Sequence, residues 1–205
     1  MKFSPNTELK QIGHYAFYES SIESLSLPAS VEQIDECCFS STSNLREVEI
    51  SPENKRFKLI EGKYVVKESQ PGSGVFDVII FARRDIESVS ILPSIKVIDD
   101  YAFYSCKHLK NVTFELNSSL ESIKKHAFDK ILGSQRFILP PSLKEAECYS
   151  FTYIKNVKWI EFLGISVTIK RNCFDSSQNF EGITFPNAEE VIFDDNSCQA
   201  RFKTF

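Results

Sequence analysis

Glycine is scarce in this chain, 7 residues in 205, and no glycine-rich phosphate loop can be drawn from them. Histidine is scarcer: His14, His108 and His126 form no HExxH arrangement, and GxSxG is absent. Catalysis by a histidine base needs a convergent partner that the spacing does not supply, so these three are read as polar turn residues. The basic excess that neutralises phosphates is missing too, with 24 basic against 28 acidic side chains, and a nucleic-acid partner is not expected. No run approaches the roughly 18 to 20 apolar residues that span a bilayer. Membrane insertion is therefore not expected, and the opening "MKFSPNTELKQ" lacks the apolar core of a signal peptide.

Six cysteines are present, Cys37, Cys38, Cys106, Cys148, Cys173 and Cys198, but there is no CxxC and no second pair at zinc-site spacing. Free thiols, no metal and no cofactor follow as expectations. The neighbouring carboxylates Asp99 with Asp100 and Asp194 with Asp195 suggest acid–base or calcium chemistry. Equivalent places elsewhere hold "GH", "DE", "KK" and "EC", as solvated turns do.

What is abundant is repetition. Ile12, Ile34, Ile98, Ile123, Ala146, Ile169 and Ile192 form a ladder with steps of 22, 64, 25, 23, 23 and 23. Five places after the first six stand Phe17, Phe39, Phe103, Phe128, Phe151 and Phe174, each preceded by a small residue. At the seventh site Ser197 replaces phenylalanine. Between ladder sites, apolar residues fall at first, fourth and sixth places, as in "IESLSL", "LREVEI", "IESVSI", "LKNVTF", "VKWIEF" and "FEGITF". Their last letters alternate with the period of a half-buried strand. One such unit cannot cover its own apolar face, whereas stacked copies bury it in continuous columns. A doubly wound sheet competes, but its crossover helices need longer helical patterns than these gaps hold.

The 64-residue step hides 18 residues beyond two repeats. Within it "KYVVK" and "VFDVIIF" flank the turn formers "ESQPGSG", the pattern of a β-hairpin; a linker between two domains is the other reading.

The combination of LxxVxLP, a following SVxxI and AF five places on resembles the BspA-like leucine-rich-repeat family of bacterial and protist surface proteins. "LSLPASVEQIDECCF" and "SILPSIKVIDDYAFYSCKHLKNVTF" carry it most fully, and the likeness covers nearly the whole chain. The resemblance implies an α/β repeat fold: a leucine-rich-repeat solenoid with a parallel concave sheet, short turns or helical segments on the convex side, and one inserted β-hairpin. The expected organisation is a single domain over 1–205 of about seven repeats, with the hairpin module at about 53–83. It also implies a cell-surface or secreted location and roles in adhesion and protein recognition. The start at "ELKQI" resembles the tail of a preceding unit, so either a segment of a longer array or irregular caps is expected.

Function is then sought on the exposed strand face. The row before each fourth place reads Ser24, Glu47, Ser88, Asn111, Arg136, Trp159, Gly182, and the row after it Ser26, Glu49, Ser90, Thr113, Ile138, Glu161, Thr184. Trp159, the only tryptophan, falls beside Lys158, Arg136, Ile138 and Glu161. Tryptophan and arginine are the residue types whose truncation most often weakens interfaces. The candidate ligand-binding face is therefore Trp159, Arg136, Ile138, Glu161, Lys158, Asn111, Glu47 and Glu49, for a protein or extracellular-matrix ligand. Against this stands a Trp159 laid flat over its neighbours, or buried by a slipped register. A structural spacer that self-associates through its repeat edges is the alternative function, and an enzyme is the third class. The sequons "NVT" and "NSS" make Asn111 and Asn117 glycosylation candidates if a eukaryote exports the chain.

Overall fold

The computed structural model describes residues 1–4, 7–177 and 179–194. Asp195, Ser197 and Cys198 lie outside the described residues. Among the described residues seventeen strands follow one another: β1 (Gln11–Ile12), β2 (Ser24–Leu27), β3 (Gln33–Ile34), β4 (Glu47–Ile50), β5 (Phe57–Ile60), β6 (Tyr64–Glu68), β7 (Phe76–Ala82), β8 (Ser88–Ile91) and β9 (Val97–Ile98). The chain continues with β10 (Asn111–Phe114), β11 (Ser122–Ile123), β12 (Arg136–Leu139), β13 (Glu145–Ala146), β14 (Trp159–Phe162), β15 (Ser166–Ile169), β16 (Gly182–Thr184) and β17 (Glu190–Phe193). The strands alternate between two faces of a solenoid. One face carries the concave strands β2, β4, β8, β10, β12, β14 and β16, the other the rungs β1, β3, β9, β11, β13, β15 and β17, which hold the ladder sites.

Every pairing between successive repeats is parallel and in register. On the concave face Leu25 lies opposite Val48, Val89 opposite Val112, and Phe137 opposite Ile160, which lies opposite Ile183. These are the fourth-place residues, and all but the half-buried Val112 are buried. The period of two then sends their neighbours outward.

The expected helical segments are not there: among the described residues there is no helix. The convex segments are paired turns instead. Six of them place a non-glycine residue in the left-handed region twice, four residues apart, as at Tyr15 and Glu19, Tyr101 and Ser105, His126 and Lys130, and Tyr149 and Tyr153. A left-handed residue interrupts a helix and costs about 1–2 kcal/mol. Alternate amides bond across repeats, for example Phe103 N to Ala127 O at 2.8 Å and Ser105 N to Asp129 O at 2.9 Å, while those between them close turns within the repeat, as Tyr104 N does to Tyr101 O at 3.0 Å. The phenylalanines stack between these turns, with Phe103, Phe128, Phe151 and Phe174 at successive ring separations of 5.1, 5.5 and 5.8 Å.

The insertion is built into the core. β6 and β7 pair antiparallel as the hairpin pattern predicts, and β5, beyond that pattern, adds a third antiparallel strand. The turn at 69–75 joins β6 to β7. Its alternation serves two cores: Phe57, Val65 and Phe81 pack into the cluster of the first two repeats, and Tyr64, Val66, Ile79 and Ala82 into that of the later ones. Ile80 is the extra residue of a β-bulge, since Val65 lies opposite Phe81 and Val66 opposite Ile79. Buried Asn54 ties the module to the first half through Pro28 O at 2.8 Å and Val31 O at 3.0 Å.

Most telling is β7, whose Ile79 lies opposite Ile98 as a ladder residue would. Five places on stands Arg84 where the ladder has phenylalanine. It is 2% exposed, and its guanidinium donates to the carbonyls of Phe39 (3.2 Å), Thr42 (3.3 Å) and Ala102 (3.1 Å). The ring column, which runs from Phe17 through Phe39 to Phe81, restarts at Phe103 beyond this arginine.

Candidate concave-face site

The exposed rows line up across the paired strands. Arg136 lies opposite Trp159, and Trp159 opposite Gly182; Ile138 lies opposite Glu161, and Glu161 opposite Thr184. Trp159 is half-buried, beside a Gly182 that has no side chain yet is itself buried. Ile138, on the edge strand β12, is 45% exposed.

Glu161 is not a free surface carboxylate. It is 9% exposed and ion-paired with Arg136, whose side chain stays largely in solvent. A carboxylate this sheltered needs such a partner, because desolvation without one costs several kcal/mol. The Thr184 hydroxyl beside it is buried and has no hydrogen-bond partner among the described residues. Lys158 pairs with Glu181 at 3.2 Å on the rim. Together Arg136, Ile138, Trp159, Glu161 and Thr184 make a patch with an aromatic centre, an apolar shoulder and a fixed charge pair.

The remaining candidates lie apart from it. Asn111 opens β10, which pairs with β8 but not with β12. The turn after β10 is two residues longer than its equivalents, and Leu116 stands 91% exposed in it. Glu47 and Glu49 sit on β4, exposed, on the far side of the inserted module. The structure thus brings together the candidates of β12 and β14, and leaves Asn111, Glu47 and Glu49 elsewhere on the same face. Asn111 and Asn117 are both exposed, Asn117 with a left-handed backbone.

The histidines and cysteines occupy turns and core. His126 is stacked between Tyr101 and Tyr149 at 4.8 and 5.0 Å, with Nδ1 2.9 Å from the Asp129 carboxylate. His14 lies 3.8 Å from Asp35, and His108 is exposed. Cys37, Cys38, Cys106 and Cys148 are free thiols, Cys173 Sγ lies 3.0 Å from the Ser150 hydroxyl, and burial pushes the Cys38 thiol up to about 12. Among the described residues no group of three or more His, Cys, Asp or Glu could hold a metal, and no helix is long and apolar enough to cross a membrane.

The BspA type leucine rich repeat region profile matches residues 1–61 and 77–199, in six copies, and passes over the stretch between. No curated protein matches the chain. Among solved structures, the pneumococcal vaccine antigen PcpA is similar with a TM-score of 0.77 at 22% identity, over 94% of this chain and 48% of that one. A leucine rich cell surface protein from Faecalibacterium prausnitzii is similar at 0.73 and 17% identity, over 90% and 51%. A leucine-rich repeat protein from Eubacterium ventriosum follows at 0.68 and 17%, over 89% and 52%. The chain spans about half the length of these structures, and at such identity the likeness is one of fold. The repeated ladder, the stacked parallel rungs and six copies of the profile lead to one conclusion: the chain belongs to the BspA-type leucine-rich-repeat family.

Proposed function

We propose that the chain is a non-enzymatic recognition module that binds a protein or extracellular-matrix ligand on the concave face of β12, β14 and β16, at the cell surface. The observation that carries this reading is the Trp159 patch. An aromatic side chain, an exposed isoleucine and an Arg136–Glu161 pair share one rigid sheet, held in register by parallel pairing on both sides of β14. A scaffold that presents side chains in fixed rows spends little ordering entropy on association.

The test is capture of cell-surface and matrix proteins by the immobilised chain, compared with Trp159→Ala and Arg136→Ala. Circular dichroism confirms that each variant is folded. Partner capture lost in Trp159→Ala supports the patch. Capture that persists unchanged in both variants overturns it.

A further inference from the structure

One rung of the solenoid lacks its neighbour. At each regular step the residue after a ladder site donates its amide to the ladder carbonyl of the preceding rung: Asp35 to Ile12 at 2.9 Å, Lys124 to Ile98 at 2.9 Å, Glu147 to Ile123 at 2.8 Å, Lys170 to Ala146 at 2.9 Å. Asp99 does the same to Ile79 in β7 at 2.8 Å. The Ile34 carbonyl in β3 receives no such bond among the described residues, because β7 pairs with β9 and β6 and not with β3. Gln33 and Asp35 use their amides toward β1. By the alternation of a strand, the N–H and C=O of Ile34 point the opposite way, along an open edge.

That edge faces a groove. The groove, about 500 Å³, is lined by Gln33, Ile34 and Glu36 of the β3 segment and by Phe57, Lys67 and Pro71 of the inserted module. A notch of about 30 Å³ shares Ile34, Asp35, Glu36 and Lys67 with it and is lined besides by Ile80, Asp100 and Tyr101. The groove's cations are already engaged: Lys67 holds Asp99 at 2.9 Å and Arg56 holds Glu68 at 3.7 Å. Glu36 and Asp100 have no cationic partner among the described residues. Burial, and then the charges of Asp99, Glu147 and Glu36, push the Asp100 carboxyl above its ordinary value. The notch therefore combines half-buried apolar side chains with uncompensated negative charge, the complement of an aliphatic stem ending in a cation.

We propose that this groove docks an extended segment of a partner protein, added as a strand along the free edge of β3, with a lysine or arginine of that segment seated between Glu36 and Asp100. Main-chain bonds to Ile34 supply the strand addition, and the acidic notch supplies the choice of side chain. The segment occupies the rung position that the inserted module leaves unpaired when β7 bends into the core. This site lies apart from the Trp159 patch and does not depend on it.

The test uses the full chain and two fluorescent, acetylated octapeptides, one alternating valine with lysine and the other valine with glutamate, read by anisotropy. The lysine peptide is expected to bind at least about tenfold more tightly than the glutamate peptide, and more weakly as salt rises. Glu36→Lys, an exposed position, is expected to weaken it at least about tenfold while Trp159→Ala leaves it unchanged. The lysine peptide N-methylated at alternate amides, which cannot complete the strand, is expected to lose binding. No binding of the lysine peptide, equal binding of the two peptides, full affinity of the N-methylated peptide, or unchanged affinity in a folded Glu36→Lys chain would each overturn the proposal.

Discussion

The Arg84 guanidinium reaches across the inserted module to the carbonyls of Phe39 on one side and Ala102 on the other, at 3.2 and 3.1 Å. A single buried side chain thus joins two halves of a solenoid at the point where neither the concave sheet nor the rung sheet is continuous. Elsewhere a phenylalanine five places after the rung fills that position. Here a stack of rings cannot bridge the interval, and a planar fork of donors satisfies the turn carbonyls instead.

Arg84→Ala is expected to destabilise the chain by about 3 kcal/mol or more, since it removes three charge-assisted hydrogen bonds, leaves the Thr42 carbonyl without a donor among the described residues, and opens a cavity. Arg84→Lys is expected to recover little of this, because an ammonium cannot address three separated acceptors in one plane. Urea unfolding measures both, and an Arg84→Ala midpoint equal to wild type would show that the halves are held by other contacts.

Gly133 and Gly72 separate two effects of substitution. Both have positive φ, +69° and +86°, but a Cβ at Gly133 would lie 2.3 Å from Val157 Cγ2, whereas nothing lies within 4 Å at Gly72. Gly72→Ala is expected to cost only the left-handed penalty of about 1–2 kcal/mol. Gly133→Ala adds overpacking of about 1–3 kcal/mol, so its thermal midpoint falls further. Equal shifts in the two variants would refute the packing account.

Two aspartates predict opposite pH dependences. For Asp77, burial pushes the carboxyl up, but hydrogen bonds from Ser69 at 2.8 Å and the nearby Lys96 outweigh it and hold the value below normal. Its contribution is present above the unfolded value of about 3.9 and is lost as pH falls through the folded one. For Asp100 the folded value is raised, so its contribution is present below about 3.9 and is lost as pH rises through the folded value. Asp77→Asn is therefore expected to destabilise at pH 7, with the effect fading in acid. Asp100→Asn is expected to stabilise at pH 7 and to have no such effect below pH 4. Denaturation midpoints at both pH values check the signs.

Much of the architecture was legible because it is periodic. Ile12, Phe17 and their counterparts repeat at about 23 residues, and an apolar alternation of two admits one register for the concave strands, since a slip of one residue would expose every core side chain. The convex segments were harder to read. Tyr101 to Ser105 holds nothing that forbids a helical turn, and its left-handed residues go with bonds to the next repeat that alternate with close turns inside its own. Likewise the exposed rows placed Trp159 beside Glu161, but the shelter of Glu161 and its bond to Arg136 depend on how three strands pack together.

The amino-acid sequence by itself determined the repeat, the rungs, the phenylalanine column and the presence of an insertion, because each follows from the spacing of apolar residues along the chain. Tertiary structure alone decided that the insertion lies within the core, that Ile79 acts as a rung and Arg84 as its closing residue, and that β3 keeps a free edge beside Glu36 and Asp100. These depend on contacts between residues far apart in sequence, where no local period specifies which edge is paired and which is left open.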